Sequence, residues 1–342
     1  MPENITFRAH LIGSINDFSD ACSMGLIVRP TILVELIVTL SRFKEEGAKL
    51  IPEVYLCNDI NQLLKLLPNH GLIHIGEAQA TEDSIKEILK KCAPLAIGGW
   101  CIFIEGNGDL FKYGLFRDSL NPLALPIDEI LLSTHSEEVK VVRVYQTAGD
   151  CVEIRNYRGN IHNIFLSHKK ESSPSPTKFL SELVDAICEK VNESQKETIK
   201  TFLSKSLREA LTTSHGTLVA VSNTSTTPKF LSDGVHLREP IDFAEEIYQV
   251  SQNKLQPVVL TSQSLLLKGM LNCDGVVVFS RNAKLLSYNC FIASSMEKVK
   301  PSFGGARMRA FETLCKKLGR GIYAVFIQSQ DGWTDFRRNK HD

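Results

Sequence analysis

The stretch from Leu271 to Phe336 most constrains what this chain can become. It opens with Asn272-Cys273-Asp274-Gly275-Val276-Val277-Val278-Phe279, an acidic turn running into a β-branched strand. A polar turn and a second apolar run, Tyr288-Asn289-Cys290-Phe291, follow. Then comes Phe303-Gly304-Gly305-Ala306-Arg307-Met308-Arg309-Ala310, two glycines ahead of a helical pattern that reaches Leu318. Tyr323 to Gln328 closes the stretch as another apolar strand. Short apolar runs bounded by turns alternate here with a helical period, which is the pattern of an α/β sheet.

Gly304 and Gly305 leave room for close approach to the backbone, and a helix start presents free N–H groups to an anion. Arg307 and Arg309 follow at once, and guanidinium groups hold phosphate oxygens in a bidentate fork. An ordinary first-turn surface is the plain alternative, but arginine there opposes the helix dipole and needs a compensating partner. Asp274 has two readings as well. It is a common turn residue before a strand, or it is a carboxylate that meets a ligand together with the arginines.

The two signatures, in this order, resemble the paired DGA and RHR motifs of the diadenylate cyclase (DisA_N, or DAC) domain, and most of all its divergent DACNV-type sensory branch. The resemblance runs from about Ser204 to Arg338. It implies a mixed central sheet flanked by helices, and a nucleotide site made by Asp274, Gly275, Gly304, Gly305, Arg307 and Arg309. It implies that Asp274 lies near the ribose and a metal, with Mg or Mn accompanying the nucleotide. It places His215, in Ser214-His215-Gly216, at the strand start that contacts adenine, and Ser329, in Ser329-Gln330-Asp331, where the cyclases carry Ser-Glu-Glu. A hairpin turn from Gln330 to Gly332 is compatible with that role for Ser329.

The sequence departs from the catalytic pattern Gly-Thr-Arg-His-Arg. Ala306 replaces the hydroxyl and Met308 the imidazole; methionine neither carries charge nor shuttles protons. Gln330 replaces one carboxylate. The groups that grip phosphate are kept, while three positions tuned for phosphoryl transfer are altered. Asp233-Gly234 reads as a simple turn, and His236 as a structural histidine.

Composition narrows the remaining classes. Lys plus Arg and Asp plus Glu are 39 each, so no global field draws the chain to nucleic acid or to an anionic membrane. No nucleic-acid motif and no membrane partner are expected. The start, Met1-Pro2-Glu3-Asn4, lacks a secretory pattern, and the apolar run from Thr31 to Leu40 is too short to span a bilayer. The 9 cysteines include no Cys-x-x-Cys pair, which points to small buried apolar residues in a reducing cytoplasm rather than to disulfides or zinc.

Residues 1–166 read as an N-terminal α/β domain, 167–177 as a polar linker with two prolines, and 178–342 as the diadenylate-cyclase-like domain. In the first domain, helices are expected over 32–42, 59–67 and from Thr81 to Lys91, and strands over 49–57 and 71–75. A hairpin spans 100–116, with further strands at 139–144, 152–154 and 162–166. In the second domain, helices are expected over 179–191, 195–211, 240–250 and 262–271, a strand over 214–221, and an extended piece over 256–260. The hairpin Gly99-Trp100-Cys101-Ile102-Phe103 … Phe116 aligns with Gly275 … Phe279 … Phe291, as though the first domain were a degenerate copy with Gly98 in place of Asp274. Any apolar hairpin aligns with any other, and that coincidence is the preferred explanation.

The expected function is a nucleotide- or cyclic-dinucleotide-binding sensor, with the first domain transmitting the signal or recognising a partner. The alternatives are an active diadenylate cyclase, which joins two ATP and therefore needs a homodimer or higher assembly with two sites face to face, and a non-enzymatic interaction scaffold.

Overall fold

A computed structural model of the chain describes residues 7–45, 47–133, 137–149, 151–166, 176–231, 233–292, 305–330 and 332–339. The fold is mixed α/β, in two compact units. The first holds Met1–Leu120, Ala124–Gln146 and Asp150–Leu166; the second holds Ser167–Asp342 with the short pieces Asn121–Leu123 and Thr147–Gly149. The 167–175 part of the polar linker lies outside the described residues.

The first unit runs α1 (Phe7–Cys22), α2 (Pro30–Arg42), β1 (Lys44–Glu45), β2 (Ala48–Lys49), β3 (Val54–Cys57), α3 (Ile60–Leu64), β4 (Gly71–Gln79) and α4 (Glu82–Cys92). It continues with β5 (Cys101–Asn107), β6 (Leu110–Arg117), α5 (Ile127–Ser133), β7 (Val141–Ala148), β8 (Cys151–Asn156) and β9 (Ile161–Phe165). Its main sheet has the order β4-β6-β5-β3-β7-β8-β9. Side-chain caps start two of the helices. Asp59 accepts from the N–H groups of Asn61 at 2.8 Å and Gln62 at 3.1 Å, and Thr81 accepts from Ser84 at 3.4 Å. Each such cap is worth about 1 kcal/mol. The expected strand over 49–57 is broken around Pro52, which has no N–H for a ladder, and only Val54–Cys57 joins the main sheet.

The second unit runs α6 (Pro176–Ile187), α7 (Glu193–Thr213), β10 (Thr217–Ser222), β11 (Asp233–Asp242), α8 (Phe243–Ser251), α9 (Val258–Leu271) and β12 (Val276–Ser280). β13 (Lys284–Phe291), α10 (Ala306–Cys315), β14 (Ile322–Gln328) and β15 (Thr334–Arg338) complete it. The sheet order is β11-β13-β12-β10-β14-β15. One face of the sheet carries Val219, Val221, Val277, Phe279 and Phe326 into a core with α6 to α9. The opposite face carries Leu218, Ala220, Val276, Val278, Val325 and Ile327 into a core with Phe311 and Leu314 of α10. This period-two division is what a sheet with both faces covered requires.

Three expectations change here. Asp233-Gly234 is the start of edge strand β11 rather than a turn: a Cβ on Gly234 would come within 2.7 Å of Cys290 Cα, so only glycine lets the two strands close. The helix expected from Pro240 starts at Phe243, because Asp242 caps it by accepting from Glu245 N–H at 3.2 Å. Pro240 lies in β11 where its register against β13 shifts, a position that needs no ladder N–H. The extended piece over 256–260 is instead the first turn of α9, entered through Pro257.

Eight of the 9 cysteines are buried or half-buried and all are free; Cys273 is exposed. Among the described residues no helix is long and apolar enough to cross a membrane.

Candidate functional site

The site lies in the second unit, where α9 hands over to β12 and α10 begins. Asp274 follows the last turn of α9, and Gly275, at φ +87°, turns the chain into β12. A Cβ there would meet Cys290 O at 2.7 Å, so the Asp-Gly pair is fixed by the neighbouring strand. β12 runs parallel to β10, with Leu218 beside Val276, which brings Asp274 close to the start of β10 at His215-Gly216.

From the opposite side, α10 starts at Gly305 with no side chain capping it, and Arg307 is its second residue. The Arg307 guanidinium donates through Nη1 to the carbonyl of His215 at 2.8 Å and through Nη2 to Oδ1 of Asp274 at 3.1 Å. Gly216, at φ +100°, makes room for it, since a Cβ there would sit 3.1 Å from Arg307 Nη1. The partner that an arginine in a first helical turn requires is therefore Asp274. Asp274 is 82% exposed and Arg307 37%, so the pair stays open to solvent and to competing anions.

These groups stand at the edge of a cavity of ≈ 1130 Å³. Asp274, Gly275, Gly305, Arg307, Arg309 and Ser329 all line it. Gly304 and Asp331 lie outside the described residues. His215 contributes its backbone carbonyl, and its imidazole is not part of the lining. The Ser329 hydroxyl donates to the Trp333 carbonyl at 3.0 Å, so Ser329 both closes the hairpin turn and faces the cavity.

The apolar floor of the cavity was not read from sequence. Leu218, Val276 and Ile327 supply an apolar floor from three adjacent strands, and Phe291, Ile292 and Trp333 join Met308 of the phosphate motif to complete it. Their only local signal is strand alternation, which marks a buried face without saying that a cavity lies against it. Cys290 is also in the wall, and burial pushes its thiol up from the ordinary range. Asp274 is the one carboxylate among the described lining residues. A divalent ion takes about six oxygens, so these side chains do not make a metal site on their own; Asp274 fits Mg or Mn only as one ligand, with phosphate and water supplying the others.

The chain matches no family model and no curated protein. The pocket presents two guanidiniums and a helix start at one side, one exposed acid, and a broad apolar floor.

Proposed function

We propose that the second unit binds a nucleotide or a cyclic dinucleotide and that the chain works as a sensor of it. The observation that carries this reading is the Arg307 guanidinium, held between Asp274 and the His215 carbonyl at the rim of an apolar cavity, with Arg309 on the same wall. A phosphate competes with Asp274 for Arg307 and takes N–H donors from the start of α10, while a base lies on the apolar floor. Drug-sized ligands occupy cavities of about 300–1,000 Å³, and ≈ 1130 Å³ leaves space for a dinucleotide. Asp274 is then free to accept from a ribose hydroxyl, or to share a divalent ion with the phosphates. The resemblance to the diadenylate cyclase domain supports the same ligand class.

Binding without turnover is favoured by Ala306 and Met308, which put a methyl and a thioether beside the clamp where the cyclase pattern has a hydroxyl and an imidazole. The Asp-Gly pair and both arginines are kept, and this supports the second reading, diadenylate cyclase activity. Phosphoryl transfer depends mostly on positioning and charge, so the two readings are separated by experiment. Calorimetry with a panel of nucleotides and cyclic dinucleotides should give saturable heat for at least one ligand; none for any would leave an interaction scaffold. Incubation with ATP and Mn²⁺ followed by chromatography should give no cyclic di-adenylate above blank, and product would make the chain a cyclase.

A further inference from the structure

The sheets of the two units have the same strand topology. Six strands of the first, in the order β4-β6-β5-β3-β7-β8, correspond to β11-β13-β12-β10-β14-β15 of the second. The senses agree as well: β3·β5 and β10·β12 are parallel, while β3·β7 and β10·β14, β4·β6 and β11·β13, and β5·β6 and β12·β13 are antiparallel. Two helices precede the central strand in each case, α1–α2 and α6–α7, and one helix follows the hairpin, α5 and α10. From these senses β6 runs in the direction of β7, and β13 in that of β14. Both connections are therefore parallel crossovers; such crossovers are right-handed in about 98% of cases, and a shared hand puts α5 and α10 over corresponding faces.

The strand ends fix the register. In the first unit Gly71, which opens β4, stands opposite Arg117, which closes β6; in the second Asp233, which opens β11, stands opposite Phe291, which closes β13. Cys101 and Val276 open the matching strands β5 and β12. Pairing then equates Tyr55 with Ala220, Phe116 with Cys290, and Arg143 with Val325. The faces agree: Arg143 reaches Asp128 of α5, just as Val325 shares a core with α10. This register is one residue away from the one suggested by the sequence likeness of the two hairpins, which set Phe103 against Phe279.

Carried to the pocket, the register shows what became of it. Leu218 and Ile327 of the floor correspond to Glu53 and Tyr145, and Asp274 of the rim to Gly99. The second residue of the crossover helix is a cation, Arg307, in α10 and an acid, Asp128, in α5. The space under α5 is taken by Arg143. Its guanidinium is 3% exposed, bonds Glu53, reaches Glu153 at 3.1 Å and Asp128 at 3.3 Å, and lies 4.5 Å over the Tyr145 ring.

We infer that the first unit is a second copy of the ligand-binding fold in which a buried ion cluster centred on Arg143 fills the place of the cavity, so that the chain offers one ligand site instead of two. The count of one rests on the nucleotide reading; the duplication does not, and the two are tested separately. An experimental structure of the full chain decides the duplication. It should show the six-strand order in both units, with α5 and α10 on corresponding faces; α5 on the other face overturns the inference. Native mass spectrometry of the full chain with cyclic di-adenylate and with ATP decides the count. One equivalent per chain, lost in Arg307→Ala/Arg309→Ala, is expected. A second equivalent that survives that double substitution overturns the filled-copy assignment. No binding by the unaltered chain overturns the nucleotide reading and leaves the duplication to the first experiment.

Discussion

Arg307 and Asp274, 33 residues apart in sequence, meet through a single hydrogen bond of 3.1 Å from Nη2 to Oδ1. The same guanidinium is anchored by its other nitrogen to the His215 carbonyl. The anchor orients Arg307, and the exposed acid holds the donor that an incoming phosphate would claim. On the proposed reading Asp274 and phosphate are rivals for one nitrogen, and this predicts opposite effects at the two positions. Arg307→Ala should weaken binding of inorganic pyrophosphate about 10- to 100-fold, the worth of one or two charge-assisted hydrogen bonds. Asp274→Asn should strengthen it by removing both the competitor and a like charge. Calorimetry with pyrophosphate measures both; weakening by both substitutions would contradict the rivalry.

A second prediction concerns the Arg143 cluster of the first unit. Burial by itself lowers the pKa of its guanidinium, but Asp128, Glu53 and Glu153 outweigh burial and hold the pKa well above the ordinary value. Taking away the one cation strands buried carboxylates, at a cost of about 3–5 kcal/mol. Arg143→Met should lower the urea midpoint of the full chain accordingly. A change within about 0.5 kcal/mol, as at ordinary surface positions, would mean that the cluster is not buried as described.

Thiol labelling provides a third. Cys273 is the exposed cysteine, while burial pushes Cys315 up to about 11 and Cys92 and Cys188 up to about 12. Alkylation of the native protein at neutral pH, followed by peptide mass mapping, should find Cys273 modified first and the buried thiols only on unfolding. Early modification of Cys188 or Cys290 would contradict the packing of the second unit.

The fourth is acid sensitivity. Arg281 grips Glu189 through two bonds of 2.5 and 2.7 Å, and this hydrogen bonding lowers the Glu189 pKa. A folded-state pKa below the unfolded one, about 4.3 for glutamate, gives stability that is present above that value and lost as pH falls through the folded pKa. Glu189→Gln should therefore flatten the acid limb of the Tm-against-pH curve below about pH 4. It should leave the slope near pH 7 unchanged. An unaltered acid limb would contradict the pairing.

Local chemistry was legible in the sequence and distant chemistry was not. Asp59 and Thr81 declared helix starts because a cap acts over two or three residues. Asp274-Gly275 and the two arginines declared a candidate site because their types and order carry the chemistry, and the fold sets all four on one cavity. β11 was hidden because Asp233-Gly234 and Pro240 read locally as a turn and a helix start, and only its pairing with β13 makes it a strand. Trp333 and Phe291 could not be assigned to the cavity, since long-range packing brings them there. The likeness of the two hairpins was visible but was better explained as coincidence; only strand pairing supplies the register, one residue away, on which the proposed duplication rests.

The most direct measurement uses the two tryptophans. Trp333 lies in the cavity wall and Trp100 in the other unit. In a Trp100→Phe chain, Trp333 reports alone from within the pocket. Titration with cyclic di-adenylate and with ATP should produce a saturable change in its fluorescence for at least one of them, and Arg307→Ala/Arg309→Ala should abolish it. Saturable binding by calorimetry with no change at Trp333, or with no dependence on the two arginines, would place the ligand elsewhere and contradict the assignment of this pocket.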